Sequence, residues 1–410
     1  MKNSTYDVLI IGGGAAGSGV AASLLKRNKS LAIAIIEPAD KHYYQPAWTL
    51  VGAGEFDVTK TVRNMVDCIP RNVIWIRDSV ITFEPDANAV KTKGGLSITY
   101  QQLIVAAGLK IDWDAIPGLN ETLGKNGVTS NYRFDLAPYT WQLVKNLKSG
   151  TAIFTQPPMP IKCAGAPQKA LYLSCSHWEK AGVLNKIDVD FNNAGTALFG
   201  VAAYVPALMK YIERYHAKLS FNSSLIQVDG PSKKAWFNVK DADGTITKVE
   251  KKFDILHVVP PQCPPDFIKH SPLADAAGWV EVNQISLQHA RYSNIFSLGD
   301  VCSSPNAKTA AAVRKQVIVV AENLIAFRNG LAMPTDYDGY GSCPLTVEKG
   351  KIILAEFGFG GKLLPTFPLD SLVPRKINWI LKKYILPWVY WNALLKGNEW
   401  LARPKKTADH

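Results

Sequence analysis

The sequence predicts an α/β protein that opens on a dinucleotide-binding βαβ unit and closes on an amphipathic, membrane-binding helical segment. Three observations carry this reading. The stretch YDVLIIGGGAAGSGVAASLL sets a glycine loop between an apolar strand and an Ala- and Leu-rich helix. A second apolar stretch, GTAIFTQ (150–156), runs into a proline-rich turn that carries Cys163. Near the C-terminus, VPRKINWILKKYILPWVYWNALLKGNEW interleaves Trp and Tyr with Lys and Arg.

In the first element, Val8 to Ile11 form the strand and Gly12, Gly14 and Gly17 give GxGxxG. The first glycine permits a tight turn, and the second lets a pyrophosphate approach the backbone. The third lets the helix, opened by Ala15 and Ala16, pack close to the strand with the phosphates at its N-terminus. A further strand, LAIAIIE, ends at Glu37, the position for an acid on ribose hydroxyls, and Pro38 follows it.

Composition narrows the classes. The chain has 410 residues, enough for two or three domains, with 47% hydrophobic and 20% charged residues. No apolar run reaches the roughly 18–20 residues that cross a bilayer as a helix. Because the N-terminal stretch reads straight into a strand, no secretory signal is expected; a presequence removed beforehand would be compatible with this. The net charge of +12 asks for an anionic partner. There is no zinc-finger spacing, RNP pattern or basic helix, so nucleic acid is not expected and anionic lipid is. Six cysteines, none in a CxxC pair, are too few for a disulfide-stapled secreted domain and give no zinc site, so no metal is expected.

Three later stretches bear on the dinucleotide. LIVAAG (103–108), with Ala107 and Gly108, resembles the strand and turn that close over FAD in the disulfide-reductase-like flavoproteins. NIFSLGDV (294–301) resembles their second FAD motif, which implies that Asp300 hydrogen-bonds the ribityl chain. HYYQPAW (42–48), with Gln45, lies where that group covers the cofactor.

Those flavoproteins that use a nicotinamide carry a second GxGxxG midway. Here the turn after GTAIFTQ is PPMPIKCAGAPQK, with Pro157, Pro158 and Pro160 in place of glycines. Proline has no N–H for a phosphate and fixes φ. NNAGTALFG (192–200) has glycines only at the wrong spacing. Electrons are therefore not expected from NAD(P)H, which leaves a reductant that a thiol can handle.

The chain resembles the sulfide:quinone oxidoreductases, in the type II branch that includes the mitochondrial enzymes. The segments KCAGAPQKALYLS around Cys163 and YDGYGSCPLTVEKGKIILAEFGF around Cys343 carry the resemblance, with NAKTAAAVRKQ (306–316) and LPWVYWNALLKG (386–397). It covers Tyr6 to about Trp400. It implies two Rossmann-like (βαβ, FAD/NAD(P)-type) domains with the membrane-binding segment after them. The implied bounds are a first FAD half at 1–110, a second domain without fingerprint at 111–270, a second FAD half at 271–335, and a cysteine loop with membrane helices at 336–410. Within the first half, VIWIRDSVITFEPDANAVKT is expected as an antiparallel excursion, and Asp243-Gly244 as a hairpin turn in the second domain.

The resemblance also implies the chemistry. Cys163 and Cys343 meet beside FAD and rest as a disulfide or trisulfide. Hydrogen sulfide attacks on the Cys343 side and leaves a persulfide there. Two electrons pass through Cys163 and FAD to ubiquinone or menaquinone, and the sulfane sulfur leaves to glutathione, sulfite or sulfide. Lys162 and Lys169 place positive charge near Cys163, which favours a thiolate. Lys308, and secondarily Lys315, are expected near the flavin or quinone. Cys68, Cys175, Cys263 and Cys302 are expected to be structural, with Cys302 the nearest to the flavin. His177 is read as a surface or packing residue.

In the C-terminal segment, Ile377, Ile380, Leu381, Tyr384 and Ile385 recur at helical spacing, with Pro387 splitting two short helices. Lys376, Lys382, Lys383 and Lys396 are expected beside anionic headgroups. Phe357, Phe359, Tyr384 and Trp388 are expected as quinone walls. The expected location is peripheral on a bacterial inner membrane or, after loss of a presequence, the mitochondrial inner membrane, with a homodimer possible. Three alternatives remain: an NADH:quinone oxidoreductase, the flavin subunit of a flavocytochrome sulfide dehydrogenase, and an FAD-binding persulfide sensor or carrier.

Overall fold

A computed structural model describes residues 4–403. The first sheet grows from the glycine-loop strand, β1 (Ser4–Ile11), whose Val8, Leu9 and Ile10 are fully buried. α1 (Ala15–Arg27) follows, and β2 (Ile33–Ile36) and β3 (Val73–Ile76) pair in parallel on one side of β1. The apolar runs in these strands suit a parallel sheet covered on both faces. β4 (Val80–Glu84) and β5 (Ala89–Thr92) are antiparallel to each other, and β5 pairs antiparallel with β6 (Ser97–Val105). The order is β3-β2-β1-β6-β5-β4. The expected excursion therefore needs correction: Val73–Ile76 is not antiparallel but extends the parallel half, and only β4 to the start of β6 reverse direction.

The chain leaves this sheet after Val105 and returns at β15, described below. Between lies a five-stranded, all-parallel sheet. It uses β7 (Val128–Thr129), β8 (Gly150–Gln156), β9 (Ile187–Asn193), β10 (Lys218–Ser220) and β14 (Ile255–His257), in the order β7-β14-β8-β9-β10. α2 (Ala166–Lys180) crosses from β8 to β9. An antiparallel sheet of β11 (Ser223–Asp229), β12 (Lys234–Lys240) and β13 (Ile246–Lys252) projects from it, with Gly244 at φ +91° in the expected hairpin turn. β15 (Ile295–Ser297) then pairs in parallel with β6, and α3 (Ala310–Arg328) packs along α1.

A two-stranded hairpin, β16 (Gly341–Glu348) and β17 (Lys351–Phe357), carries Cys343 across α2. Residues 376–392 then form one helical path and not the two helices expected from Pro387. α4 (Lys376–Ile380) runs through a π turn (Leu381–Ile385) into α5 (Leu386–Asn392). Pro387 cannot donate to the Lys383 carbonyl, and the helix absorbs this by widening one turn, with the Leu386 N–H on the Leu381 carbonyl.

This path straps two parts together. Asn378 Nδ2 donates to the Ile352 carbonyl on the Cys343 hairpin at 3.0 Å. Further on, the Tyr390 hydroxyl meets His42 Nε2 at 2.7 Å, and Tyr390, Trp391, Leu394 and Leu395 join the core under the first sheet. Outward stand Ile377, Ile380, Tyr384, Ile385 and Trp388, with Tyr384 63% and Trp388 54% exposed. Among the described residues, no helix is long and apolar enough to cross a membrane.

Burial lowers the pKa of His42 from 6.5 to about 4, and does the same to His257 at the end of β14. A lowered folded-state value means the unfolded chain binds more protons between these limits. The stability each neutral ring contributes is complete above pH 6.5 and is lost as pH falls toward about 4, by about 3 kcal/mol for each ring. Thermal unfolding should therefore weaken over this range, and His42→Gln should lessen the acid sensitivity.

Candidate active site

The carboxyl ends of β1, β6 and β15 converge, which is where open parallel sheets bind ligands. The Ala106 N–H donates to the Ile11 carbonyl at 2.8 Å and the Leu298 N–H to the Val105 carbonyl at 3.3 Å. Gly12 has φ +102°, and a Cβ there would lie 2.5 Å from the Ala106 carbonyl oxygen. A Cβ on Gly17 would lie 1.8 Å from the Gly12 carbonyl oxygen, so helix and turn touch through it. By contrast, a Cβ on Gly14, at the N-cap of α1, or on Gly108 would meet nothing within 4 Å. The glycine loop thus closes on its own turn and leaves an open cradle over the α1 N-terminus.

Glu37 accepts from the Gly13 N–H at 2.7 Å and the Ala39 N–H at 2.8 Å, with Pro38 between. Ala15 and Ala16 form the first turn of α1, and Ala107 is half-buried beside Gly108. Asp300 follows Gly299, whose N–H is held by Gln316 Oε1 at 2.9 Å. Burial raises the Asp300 pKa, against the pull of Lys308 and Lys162. Lys308 turns its Nζ onto the Asp300 carbonyl (2.6 Å) and the Cys302 carbonyl (3.2 Å), and stands over the Trp279 ring. It braces the Asp300 loop. Lys315 lies 4.2 Å from the Tyr340 ring centroid and 3.9 Å from Asp338.

A second set of loops brings the cysteines to this edge. The Cys163 N–H donates to the Lys308 carbonyl at 2.9 Å, and Lys162 Nζ bonds Gln45 Oε1, tying the turn after β8 to both parts of the first domain. Cys163 itself sits at φ +48°, a region a side chain seldom adopts. Its carbonyl accepts from the Ala166 N–H at 2.7 Å and the Tyr132 hydroxyl at 3.3 Å. These bonds over-determine the conformation.

Cys343 enters from β16, and the two sulfurs stand 3.7 Å apart across 180 residues of chain. Neither is in a disulfide. The approach needs Gly165: a Cβ there would lie 2.6 Å from Cys343 Sγ and 2.4 Å from Leu345 Cδ2.

The charge at this pair follows from burial. Lys169, in the first turns of α2, is 2% exposed, and its Nζ lies 3.1 Å from Cys163 Sγ and 3.5 Å from Cys343 Sγ. A buried ammonium needs an anion, and the two sulfurs are what it touches. The pair titrates as a unit. The Cys343 thiol donates to Cys163, and Lys169 and Lys382 stabilise the anion, so Cys163 is pushed well below the usual thiol range. The same bond and burial push Cys343 well up. Cys163 carries the thiolate, and Lys169 is held protonated, its pKa raised by both sulfurs against the cost of burial.

Lys382 is the residue that sequence reasoning missed. Its sequence neighbours place it among the lipid-facing lysines, but the π turn carries it inward. It is 6% exposed, with Nζ 3.4 Å from the carbonyl of Pro344, next to Cys343. Burial, then repulsion from Lys169, lowers its pKa to about 7.

The remaining expected residues fall elsewhere. Cys302 Sγ donates to the Gly299 carbonyl beneath the Asp300 loop. Cys68, Cys175 and Cys302 are buried and Cys263 is half-buried. His177 stands edge-on to Trp141. Phe357 packs edge-on to Phe199, and Phe359 to Tyr337, whereas Tyr384 and Trp388 are on the outer face of the helical strap. Of the four aromatics expected as quinone walls, Phe357 and Phe359 thus make separate ring contacts, and Tyr384 and Trp388 are exposed.

Lys169→Met should raise the pH midpoint for alkylation of Cys163 by iodoacetamide by one unit or more, in the direction set by loss of a charge partner. Gly165→Ala should separate the sulfurs and abolish their oxidation to a bridge, read by thiol counting after mild oxidation.

Residues 6–146 match the family described as pyridine nucleotide-disulphide oxidoreductase. The mitochondrial sulfide:quinone oxidoreductase of Dictyostelium discoideum is 44% identical over 400 residues, covering 97% of this chain and 87% of that protein. The mitochondrial enzyme of the same name from Mus musculus is 39% identical over 392 residues, 96% of this chain and 87% of that one. Among solved structures, the sulfide:quinone oxidoreductase of Aquifex aeolicus shares the fold with a TM-score of 0.78 at 19% identity, over 99% of this chain and 98% of that one. On the strength of its sequence relatives, the chain belongs to the sulfide:quinone oxidoreductase family.

Proposed function

We propose that this protein oxidises hydrogen sulfide to sulfane sulfur through Cys163, Cys343 and a bound FAD, and delivers two electrons to a membrane quinone. The observation that carries this reading is the buried sulfur pair with one thiolate held by Lys169, at the edge of the glycine-loop cradle. The cradle fits FAD: Gly14 and Gly108 leave room, the α1 N-terminus would hold the phosphates and Glu37 the ribose, and Asp300 and Gln45 would line the part of the site nearer Cys163. When bound, FAD accepts two electrons from a sulfur donor and releases them to a quinone.

The thiol chemistry follows from the asymmetry of the pair. In a bridged pair, HS⁻ attacks one sulfur and expels the other, and the better leaving group is the thiol of lower pKa. Here that is Cys163, whose thiolate Lys169 stabilises. Attack therefore falls on Cys343: a new S–S bond forms there, the old one breaks, and Cys163 leaves as thiolate. Transfer of the sulfane sulfur from Cys343 to a nucleophilic acceptor, with glutathione, sulfite or sulfide as candidates, leaves both cysteines reduced; loss of two electrons from them, which bound FAD would accept, re-forms the S–S bridge.

Two features support a quinone over a nicotinamide partner. Pro157, Pro158 and Pro160 offer no N–H, and the Lys162 N–H is taken by Gln262 Oε1 at 2.8 Å, so the turn after β8 gives no phosphate cradle. The outer face of residues 376–392 presents Ile377, Ile380, Ile385 and Trp388 with exposed Lys376 and Lys396 beside it. That composition suits an anionic bilayer surface, from which a lipid-soluble quinone enters without crossing water. The location follows: peripheral on a quinone-bearing membrane, mitochondrial inner or bacterial.

In an anaerobic titration with quinone withheld, sulfide should bleach the flavin absorbance and NADH should not. Cys163→Ser and Cys343→Ser should each abolish bleaching, and Cys68→Ser should leave it intact. Full sulfide turnover by the Cys343→Ser protein would contradict the reading.

A further inference from the structure

Two buried lysines face one thiolate. Lys169 neutralises that charge by direct contact with both sulfurs. Lys382 reaches the same space from the π turn, with its amine at the Pro344 carbonyl and close enough to Lys169 for the two to repel. The groups facing this space are Lys169 from α2, Cys343 from β16, Lys382 from the π turn, and Cys163, Lys162, Tyr132 and Asp300 around the first sulfur. Whether the pair carries one anion or, when bridged, none, a second ammonium has no anion of its own, and an uncompensated buried charge is costly. That balance changes once sulfide has added.

We propose that Lys382 is the proton acceptor for the sulfide added to Cys343. The inference rests on the sulfide reading above. HS⁻ attack on Cys343 of the bridged pair breaks the Cys163–Cys343 S–S bond and gives Cys343–S–SH and the Cys163 thiolate. The perthiol proton then passes to the Lys382 amine, leaving Cys343–S–S⁻ beside Lys382–NH₃⁺ and the Cys163 thiolate beside Lys169–NH₃⁺. No proton is lost to solvent, and two buried anions meet two buried cations. The persulfide is thereby held as an anion, the form that reacts onward with an acceptor.

The geometry favours this over a merely structural lysine. Surface lysines reach solvent with the ammonium group, whereas this one is aimed inward at the residue after Cys343 with a single backbone acceptor at 3.4 Å. Its orientation depends on the π turn, an uncommon local widening that recurs at functional sites.

The test uses the bridged, flavin-loaded protein with sulfide as the probe, above pH ~7 where the resting Lys382 is neutral. Persulfide on Cys343 is trapped with iodoacetamide and quantified by peptide mass spectrometry, and protons are followed with an indicator dye. The wild type should trap rapidly with no proton released on addition of HS⁻. In Lys382→Met the perthiol keeps its proton, so trapping near neutral pH should slow about tenfold and its pH profile should move up by about one unit. In Lys382→Arg, which supplies charge but accepts no proton, trapping should recover while one proton per persulfide appears in solution. Equal trapping profiles in wild type and Lys382→Met, or no proton release in Lys382→Arg with trapping restored, would overturn the inference. No persulfide on Cys343 in the wild type would overturn the sulfide reading itself, and this inference with it.

Discussion

The ammonium of Lys169, buried between two sulfurs, is the interaction on which the rest of the site depends. At 3.1 Å and an effective dielectric of about 20, its attraction to a Cys163 thiolate is about 5 kcal/mol. Removing an ammonium from water costs several kcal/mol, so neither partner is stable there alone. The buried lysine therefore enforces one negative sulfur, and that sulfur decides which of the two an incoming nucleophile expels. Reactivity at Cys343 is set from the far side of the pair.

Holding these atoms together takes most of the fold. Cys163 and Cys343 are 180 residues apart, and neither belongs to the strands that form the glycine cradle. The turn after β8 supplies one sulfur, clamped to the Lys308 carbonyl and to Tyr132. The β16–β17 hairpin supplies the other, laid across α2 at a point that only Gly165 leaves free. The helical strap then ties the hairpin to the first sheet, through Asn378 at one end and Tyr390 at the other. The same strap turns an apolar face outward, so the element that braces the Cys343 hairpin also carries the face suited to a quinone-bearing membrane.

The legible parts of the chain were those with a local physical signature. GxGxxG between a strand and a helix predicts its own backbone, because each glycine answers a nearby steric demand, as Gly12 and Gly17 do here. The proline turn likewise announced what it could not bind. The partnership of Cys163 with Cys343 was not local, and only the resemblance of their flanking segments indicated it. Lys382 was misread for a clear reason. Its neighbours are aromatic and basic, which suits a lipid interface, and Pro387 reads as a break. The π turn that Pro387 instead induces carries this one lysine inward. Val73–Ile76 was misread similarly, since nothing in a short apolar strand states which neighbour it will pair with.

All of this chemistry requires the two distant cysteines to act as one redox unit. Peptide mapping of the mildly oxidised protein under non-reducing conditions asks this directly. The expected result is a sulfur-linked species joining the peptide of Cys163 to that of Cys343, with Cys68, Cys175 and Cys302 unlinked. Recovery of Cys163 and Cys343 on separate peptides, each alkylated independently under conditions that oxidise exposed thiol pairs, would contradict it.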